Sequence, residues 1–178
     1  MKILSVVNQK GGVGKTTTSI NLSACLFKMK RRVLLVDLDP QSNATRGSGI
    51  EISMIQNSIN DVLLDRVDIE KAIIQSQYDG YDILPATPSL TESEVALVAR
   101  EEREFILKNK LSPVVSRYDY IIMDCPPSLN ILTVKSLVSA TGVLIPVQCE
   151  FYALQGLSEL ITTITPVSYT HLTLPTKA

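Results

Sequence analysis

Short apolar runs recur along the chain and alternate with longer segments whose apolar residues have helical spacing. The runs have the length and the bounding turns of buried strands, and they lie at residues 3–7, 33–36, 81–84, 120–123 and 143–147. The other segments predict helices at residues 15–30, 59–64, 69–75, 90–98, 101–110, 129–139 and 153–164. Residues 41–55 are rich in Ser, Gly and Asn and predict a loop. This alternation predicts an α/β fold, a mostly parallel sheet with helices on both faces.

The pattern breaks after residue 165. Residues 1–165 predict one domain, whereas residues 166–178 contain two prolines and three threonines and have neither a helical nor a strand period. We expect this stretch to be irregular, and two interpretations stay open: a frayed tail, or a foreign segment that resembles translated adapter sequence. The only histidine, His171, lies there. It has no convergent partners that would make it a metal ligand.

Composition narrows the class of protein. The 17 Lys and Arg residues nearly balance the 18 Asp and Glu residues, which predicts no strong overall attraction to nucleic acid or to an anionic membrane. Cys25, Cys125 and Cys149 form no CxxC pair and are interpreted as small buried residues in a reducing cytosol. No apolar run reaches the roughly 18 residues of a membrane span, and no signal peptide is recognisable, so we predict a cytoplasmic protein.

The segment between the first predicted strand and the first predicted helix is typical of a phosphate-binding loop. It consists of Lys10, Gly11, Gly12, Val13, Gly14, Lys15, Thr16 and Thr17. Glycines let backbone N–H groups turn toward an anion, and the positive end of the following helix attracts the same anion. We expect Lys15 to reach the β- and γ-phosphates of a nucleotide and the Thr16 hydroxyl to ligate Mg²⁺. The motif departs from G-x-x-x-x-G-K-[ST] at its first position, which is Gln9.

Two aspartates follow predicted strands and complete the candidate site. Asp39 comes after the second strand and Asp124 after the run at residues 120–123. Parallel strands bring their carboxyl ends to one rim of a sheet, where ligands bind. We therefore expect Thr16, Asp39 and Asp124 to form the metal site, since Mg²⁺ favours a few carboxylate and hydroxyl ligands with phosphate oxygens and water. Asp39 also suits the orientation or activation of an attacking water, and either aspartate alone would also suit a helix cap.

These motifs resemble a known family. The string KGGVGKTT, with its extra Lys10, resembles the deviant Walker A box of the ParA/MinD superfamily of P-loop ATPases. Four further strings resemble the ParA/Soj branch of DNA-partitioning ATPases: DLDPQSNAT at 37–45, ILPATPSL at 83–90, YDYIIMDCPPSLN at 118–130 and PVQCEFYALQGL at 146–157. They occur in the family's order.

The resemblance implies a role for each matched residue. Lys10 would be the signature lysine that reaches the nucleotide phosphate of a partner subunit, and residues 11–17 would cradle the phosphates. Together, Lys10, Lys15 and Asp39 would carry the catalysis. Asp39 would be the hydrolytic aspartate of switch I. Asp124 would be the Walker B residue, followed by switch II at residues 126–127.

The resemblance also implies the activity and partners of the whole protein. These are slow hydrolysis of ATP with Mg²⁺, an ATP-dependent homodimer, activation by a ParB-type protein and non-specific DNA binding on the nucleoid in the cytoplasm. No membrane partner is implied. Family members continue beyond the matched region with an adenine-contacting segment and basic DNA-binding residues. We therefore expect this chain to be incomplete at its C-terminus and to lack the DNA-binding surface.

Of three alternatives to a ParA/Soj-type ATPase, two are disfavoured by the sequence and one stays open. A MinD-like membrane-site ATPase is disfavoured by the run of residues 40–45, although the amphipathic helix that would decide lies beyond this chain. An iron–sulfur relative is disfavoured because Cys125 directly follows Asp124 and has no evident bridging partner. The chain as a non-catalytic fragment is the remaining alternative.

Overall fold

The computed structural model describes residues 1–148 and Thr162. Within them, six strands form one sheet: β1 (Lys2–Val6), β2 (Val33–Asp37), β3 (Ile74–Gln75), β4 (Asp82–Leu84), β5 (Tyr120–Asp124) and β6 (Gly142–Leu144). Their order across the sheet is β3-β4-β2-β5-β1-β6. Every neighbouring pair is parallel except β3 and β4, which are antiparallel. The predicted mostly parallel sheet is confirmed.

Helices connect the strands. In the described part of the chain they are α1 (Lys15–Lys28), α2 (Asn43–Gly47), α3 (Ile59–Leu63), α4 (Leu90–Ala96), α5 (Ile106–Leu111) and α6 (Ile131–Ser139). Short 3₁₀ turns lie at Ile52–Met54, Ile69–Lys71, Arg103–Phe105 and Val115–Arg117. Helix α6 begins where the Asn130 side chain accepts hydrogen bonds from two backbone N–H groups of its first turn, a typical N-cap.

Alternate residues of the central strands face two separate cores. In β2, Val33 and Leu35 pack on one face with side chains of α1 and α2. Leu34 and Val36 pack on the opposite face with side chains of α3, α4, α5 and α6. Because successive strand residues point to opposite faces, an unbroken apolar run supplies both cores. The prediction of helices on both faces is confirmed.

The carboxyl ends of β1, β2 and β5 meet at one rim of the sheet. In the strand register, Asp124 of β5 lies between Val6 of β1 and Asp37 of β2. The Leu38 N–H donates to the Asp124 carbonyl at 2.9 Å, and the Cys125 N–H donates to the Val6 carbonyl at 3.3 Å. The three loops that leave these strands therefore start side by side.

Some predicted elements differ from the structure. Residues 41–55 are not a continuous loop, because they contain α2 and a 3₁₀ turn. Residues 69–75 are not one helix but a 3₁₀ turn followed by β3, because the open edge of β4 offers a hydrogen-bonding partner. The helix predicted at 101–110 is divided into a 3₁₀ turn and α5.

At the end of the described range, the strand predicted at 143–147 stops at Leu144. The helix predicted at 153–164 lies outside the described residues except for Thr162, and so does the tail at 166–178.

Candidate functional site

The phosphate loop, residues 10–17, has the backbone that its glycines permit. Gly12 and Gly14 have φ angles of 74° and 87°, in the left-handed region that side chains with a Cβ disfavour. A Cβ placed on Gly11, Gly12 or Gly14 would meet no other atom within 4 Å. The loop therefore borders open space, and the first turn of α1 starts directly behind it.

Lys15 is nearly buried at the floor of this loop. Only 7% of the residue is exposed, and its ammonium donates to the Lys10 carbonyl at 3.2 Å. Burial lowers the pKa of Lys15, while the negative charges of Asp124 and Asp39 oppose that shift. An ammonium in such a position has a strong electrostatic preference for an anion placed above the loop.

Thr16, Ser19 and Asp124 form a hydrogen-bonded cluster beside Lys15. Thr16 Oγ1 donates to Asp124 Oδ2 at 2.8 Å, and Ser19 Oγ donates to Asp124 Oδ1 at 2.8 Å. Asp124 is fully buried, and burial raises its pKa to about 6. Since the Thr16 proton points at Asp124, the lone pairs of the Thr16 oxygen remain available to a cation.

Asp39 lies in the loop that follows β2 and lines the same cleft as the phosphate loop. Its Oδ1 atom accepts the Gln41 N–H at 2.9 Å, and 8% of the residue is exposed. The cleft has a volume of about 430 Å³ and is lined by Gly11, Gly12, Gly14, Lys15, Thr16, Thr17, Asp39, Asn43 and Pro127. This volume is within the usual range for small-molecule sites.

The donor set fits Mg²⁺ better than a metal held by protein ligands alone. Among the residues that the structure describes, no group of three or more His, Cys, Asp or Glu side chains is placed to hold a metal ion. One hydroxyl and one or two carboxylates beside a phosphate cradle are typical of Mg²⁺ sites, where phosphate oxygens and water complete the coordination.

The structure brings most of the predicted site residues together. Lys15, Thr16 and Asp39 line one cleft, and Asp124 contacts it through Thr16. Lys10 is exposed at the start of the loop, where its N–H donates to Asn8 Oδ1 at 3.0 Å. Val13 is buried beneath the loop and does not line the cleft.

Sequence reasoning missed four residues at this site. Ser19 follows Thr16 by three residues, a helical spacing that would have placed it on the same face as Thr16. Asn43 and Gln148 gave no comparable signal, because they reach the loop through tertiary structure: Asn43 lines the cleft and Gln148 Nε2 donates to the Gly12 carbonyl at 3.2 Å. Asp37, the first aspartate of the DLDP run, is completely buried beside the site.

The cysteine prediction is correct for one residue and wrong for another. Cys125 is buried against Ser136, and burial raises its pKa to about 12. Cys25 is exposed, because it follows the exposed Asn21 by four residues on the outer face of α1. Cys149 lies outside the described residues.

Two neighbouring buried carboxyl groups make the stability of the protein depend on pH. Burial and the adjacent Asp124 charge raise the pKa of Asp37 to about 7, whereas an unfolded aspartate has a pKa near ~3.9. The folded state therefore holds protons that the unfolded state releases between those values, and stability falls as pH rises through this range.

Without nucleotide or metal, we expect the free energy of unfolding to fall between about pH 4 and pH 7, the range between the unfolded and folded pKa values of Asp37. Asn does not titrate, so Asp37→Asn is expected to flatten the profile. Urea denaturation at several pH values measures this. A profile as steep in Asp37→Asn as in the parent would contradict the assignment.

Comparison with known proteins identifies the family. A family model described as an AAA domain matches residues 1–174. The chain belongs to this AAA domain family. Soj of Bacillus subtilis (strain 168), named as a sporulation initiation inhibitor protein, is 51% identical over 163 residues, which cover 92% of this chain and 64% of Soj. The chromosome partitioning protein ParA of Myxococcus xanthus is also 51% identical over 163 residues, covering 92% of this chain and 58% of that protein.

A solved structure is also similar to this chain. Cobyrinic acid a,c-diamide synthase from Mycobacterium smegmatis, with a bound ATP analog and magnesium, is 40% identical with a TM-score of 0.91; the match covers 96% of this chain and 70% of that chain. The predicted resemblance to ParA/Soj-type proteins is confirmed. The chain spans 64% of the length of Soj and 58% of the length of the Myxococcus ParA.

Proposed function

We propose that this protein is a Mg²⁺-dependent ATPase of the ParA/Soj type, which acts as a nucleotide switch in chromosome or plasmid partitioning. The observation that carries the proposal is the convergence of the phosphate loop, the Thr16–Asp124 pair and Asp39 on one cleft. The name of the Myxococcus relative supports partitioning. The ATP analog and magnesium in the mycobacterial structure support the choice of nucleotide and metal.

The phosphate loop binds the nucleotide in this account. Backbone N–H groups of residues 11–17 and the start of α1 surround the phosphates, and Lys15 supplies a positive charge from the floor of the loop. Because Lys15 is nearly buried, little water competes for its ammonium. Its contact with phosphate is therefore expected to be strong.

Thr16 and Asp124 would hold Mg²⁺ at the edge of the cleft. The ion, when bound, neutralises charge on the transferred phosphate. Thr16 offers its oxygen directly, while Asp124 orients the Thr16 hydroxyl or a metal-bound water. Ser19 keeps the second Asp124 oxygen in place from below.

Asp39 acts on water rather than on phosphate. Asp39 lines the same cleft as the phosphate loop, and its carboxylate would meet the attacking water there. A carboxylate there can accept a hydrogen bond from that water and align it with the γ-phosphate, which is the main contribution a protein makes to phosphoryl transfer.

ATP turnover tests the proposal and its metal requirement. We expect release of phosphate from ATP in the presence of Mg²⁺ and no release above background when EDTA removes the metal, because Lys15 alone does not neutralise the charge on the transferred phosphate. A coupled phosphate assay on the purified protein measures both conditions. Equal turnover with Mg²⁺ and with EDTA would contradict the metal assignment.

For the whole protein, we also propose an ATP-dependent homodimer, activation by a ParB-type protein and non-specific DNA binding. A cytoplasmic, nucleoid-associated location belongs to it as well. In the described residues, no helix has the length and apolar character needed to cross a membrane.

Lys10 is proposed to make ATP the ligand that promotes dimerisation. Its side chain is exposed at the outer end of the loop, whereas Lys15 already occupies the position that neutralises the protein's own nucleotide. Two nucleotides facing each other across a dimer interface would repel unless cations lay between them. An ammonium donated across the interface to the γ-phosphate would reduce that repulsion.

We expect Asp39→Ala with bound ATP to sediment as a dimer, because hydrolysis is blocked. Adding Lys10→Ala is expected to return it to a monomer without loss of bound ATP. Lys30→Ala is the matched control, since Lys30 is exposed at the far end of α1. Analytical ultracentrifugation with ATP measures the outcome, and a dimer that persists in the Lys10 variant would exclude the cross-subunit role.

A further inference from the structure

Asp37, the first aspartate of the DLDP run, has no direct role in binding nucleotide or metal in the proposed function. Asp37 is the last residue of β2, is 0% exposed and does not line the cleft. Its side chain accepts three hydrogen bonds. Oδ1 accepts the Asp39 N–H at 3.1 Å, while Oδ2 accepts the Thr45 N–H at 2.8 Å and the Thr45 hydroxyl at 2.7 Å.

These bonds close the loop that carries Asp39. One donor lies just after β2 and the other two lie in α2, so a single carboxylate holds both ends of residues 39–45. Within this loop, Asp39 and Asn43 line the cleft. Between them, Ser42 has a φ of 57°, a conformation that a Ser residue adopts only when its surroundings hold it there.

Thr45 extends the connection to a second strand, β4. Its hydroxyl oxygen accepts the Ala86 N–H at 3.0 Å, and Ala86 follows β4. The loop after β2 is therefore fastened to two neighbouring strand ends through the Asp37–Thr45 pair. Both residues are completely buried, so water does not weaken these bonds.

A carboxylate at this position is not explained by stability alone. Burial of an ionisable group is unfavourable, and the negative charge of neighbouring Asp124 makes it more so. Three donors that converge on one side chain require two acceptor oxygens, and a carboxyl group is the side chain that supplies them. Asp124, its register partner, holds Thr16 and Ser19 of α1 in the same way.

We propose that Asp37 is a positioning residue that acts through Thr45 to hold Asp39 and Asn43 on the wall of the cleft. It sets the rate of ATP turnover rather than the affinity for ATP. The inference rests on the proposed ATPase function, because its effect on rate has meaning only if Asp39 acts on the attacking water.

Two substitutions remove the network in different ways. Asp37→Asn keeps the shape of the side chain, but its amide turns a donor toward either the Asp39 N–H or the Thr45 N–H. Thr45→Val keeps the volume of Thr45 and removes its hydroxyl. Thr45→Ser restores the hydroxyl and serves as the rescue variant. Ser48→Ala is the matched control, because it removes a buried hydroxyl at the end of α2 that bonds Tyr81 and not Asp37.

The first readout is independent of ATP. Amide hydrogen exchange in the nucleotide-free protein is expected to be faster at Asp39 and Thr45 in Asp37→Asn than in the parent, and unchanged at Thr18, whose N–H bonds the Gly14 carbonyl. Unchanged exchange at Asp39 and Thr45 would overturn the proposal.

The second readout separates rate from affinity. We expect Asp37→Asn and Thr45→Val to lower kcat by at least about tenfold, because small misplacements of catalytic groups have effects of this size or larger. The Kd for ATP is expected to change less than about threefold, because the phosphate loop is not altered. Thr45→Ser and Ser48→Ala are expected to keep the parent kcat. A parent-like kcat in both network variants, or an equal loss in Ser48→Ala, would overturn the proposal. A parent without turnover would count against the proposed function, and hydrogen exchange would then decide the positioning role by itself.

Discussion

Lys15→Ala is expected to weaken ATP binding by at least about 100-fold, on the order of what a charge-assisted hydrogen bond contributes. Lys15 is 7% exposed, and its ammonium donates to the Lys10 carbonyl within the phosphate loop, so its removal deletes a largely desolvated positive charge. The Lys15 position also lies close to Asp124 and Asp39. Without the lysine, these carboxylates repel the phosphates with no opposing charge.

Isothermal titration with ATP and Mg²⁺ measures the loss in Lys15→Ala. Lys28→Ala is the matched control, because Lys28 is in the last turn of the same helix and its side chain is 74% exposed. If Lys15→Ala bound ATP as tightly as Lys28→Ala, the nucleotide would have to bind elsewhere.

Asp39→Ala is expected to lower turnover by about 10²–10⁴-fold, the usual contribution of a group that acts on the reacting proton. ATP binding is expected to persist, because the negatively charged carboxylate contributes no attraction to the phosphates. Asp39 also accepts the Gln41 N–H, so the substitution removes a loop contact as well as a charge.

Asp39→Asn separates these two effects, since its amide oxygen can still accept the Gln41 N–H. Both Asp39 variants are expected to be inactive with retained ATP binding, whereas Asp68→Ala, at a side chain 78% exposed, is expected to behave as the parent. Single-turnover phosphate release and ATP titration measure the two properties. Turnover at the parent rate in Asp39→Asn would show that the negative charge has no role.

The parts of the fold that could be predicted from sequence are those with a local cause. The phosphate loop combines a buried strand, glycines and a helix start within residues 3–28, and each is recognisable without knowledge of the rest of the chain. Asp39 and Asp124 could also be placed, because residues that follow parallel strands must reach the same rim. The apolar runs of β2 and β5 were recognisable since both faces of these strands are buried.

The parts that could not be predicted depend on distant partners. Helix α2 has five residues, too few to give a helical period, and it is held by the contacts of Thr45 with Asp37 and Ala86. Strand β3 exists because the β4 edge lies beside it. Cys25 is exposed because its face of α1 points away from the sheet, which the general burial of cysteine does not reveal.

A crystal structure with a non-hydrolysable ATP analog and Mg²⁺ would locate the bound nucleotide and metal directly. We expect the β- and γ-phosphates over residues 11–17, within hydrogen-bonding distance of the Lys15 ammonium. We expect Mg²⁺ beside the Thr16 hydroxyl and Asp124, with Asp39 facing the γ-phosphate across a water molecule. Phosphates bound away from the loop, or Mg²⁺ bound without Thr16 and Asp124, would show that this cleft is not the ATPase site proposed for it.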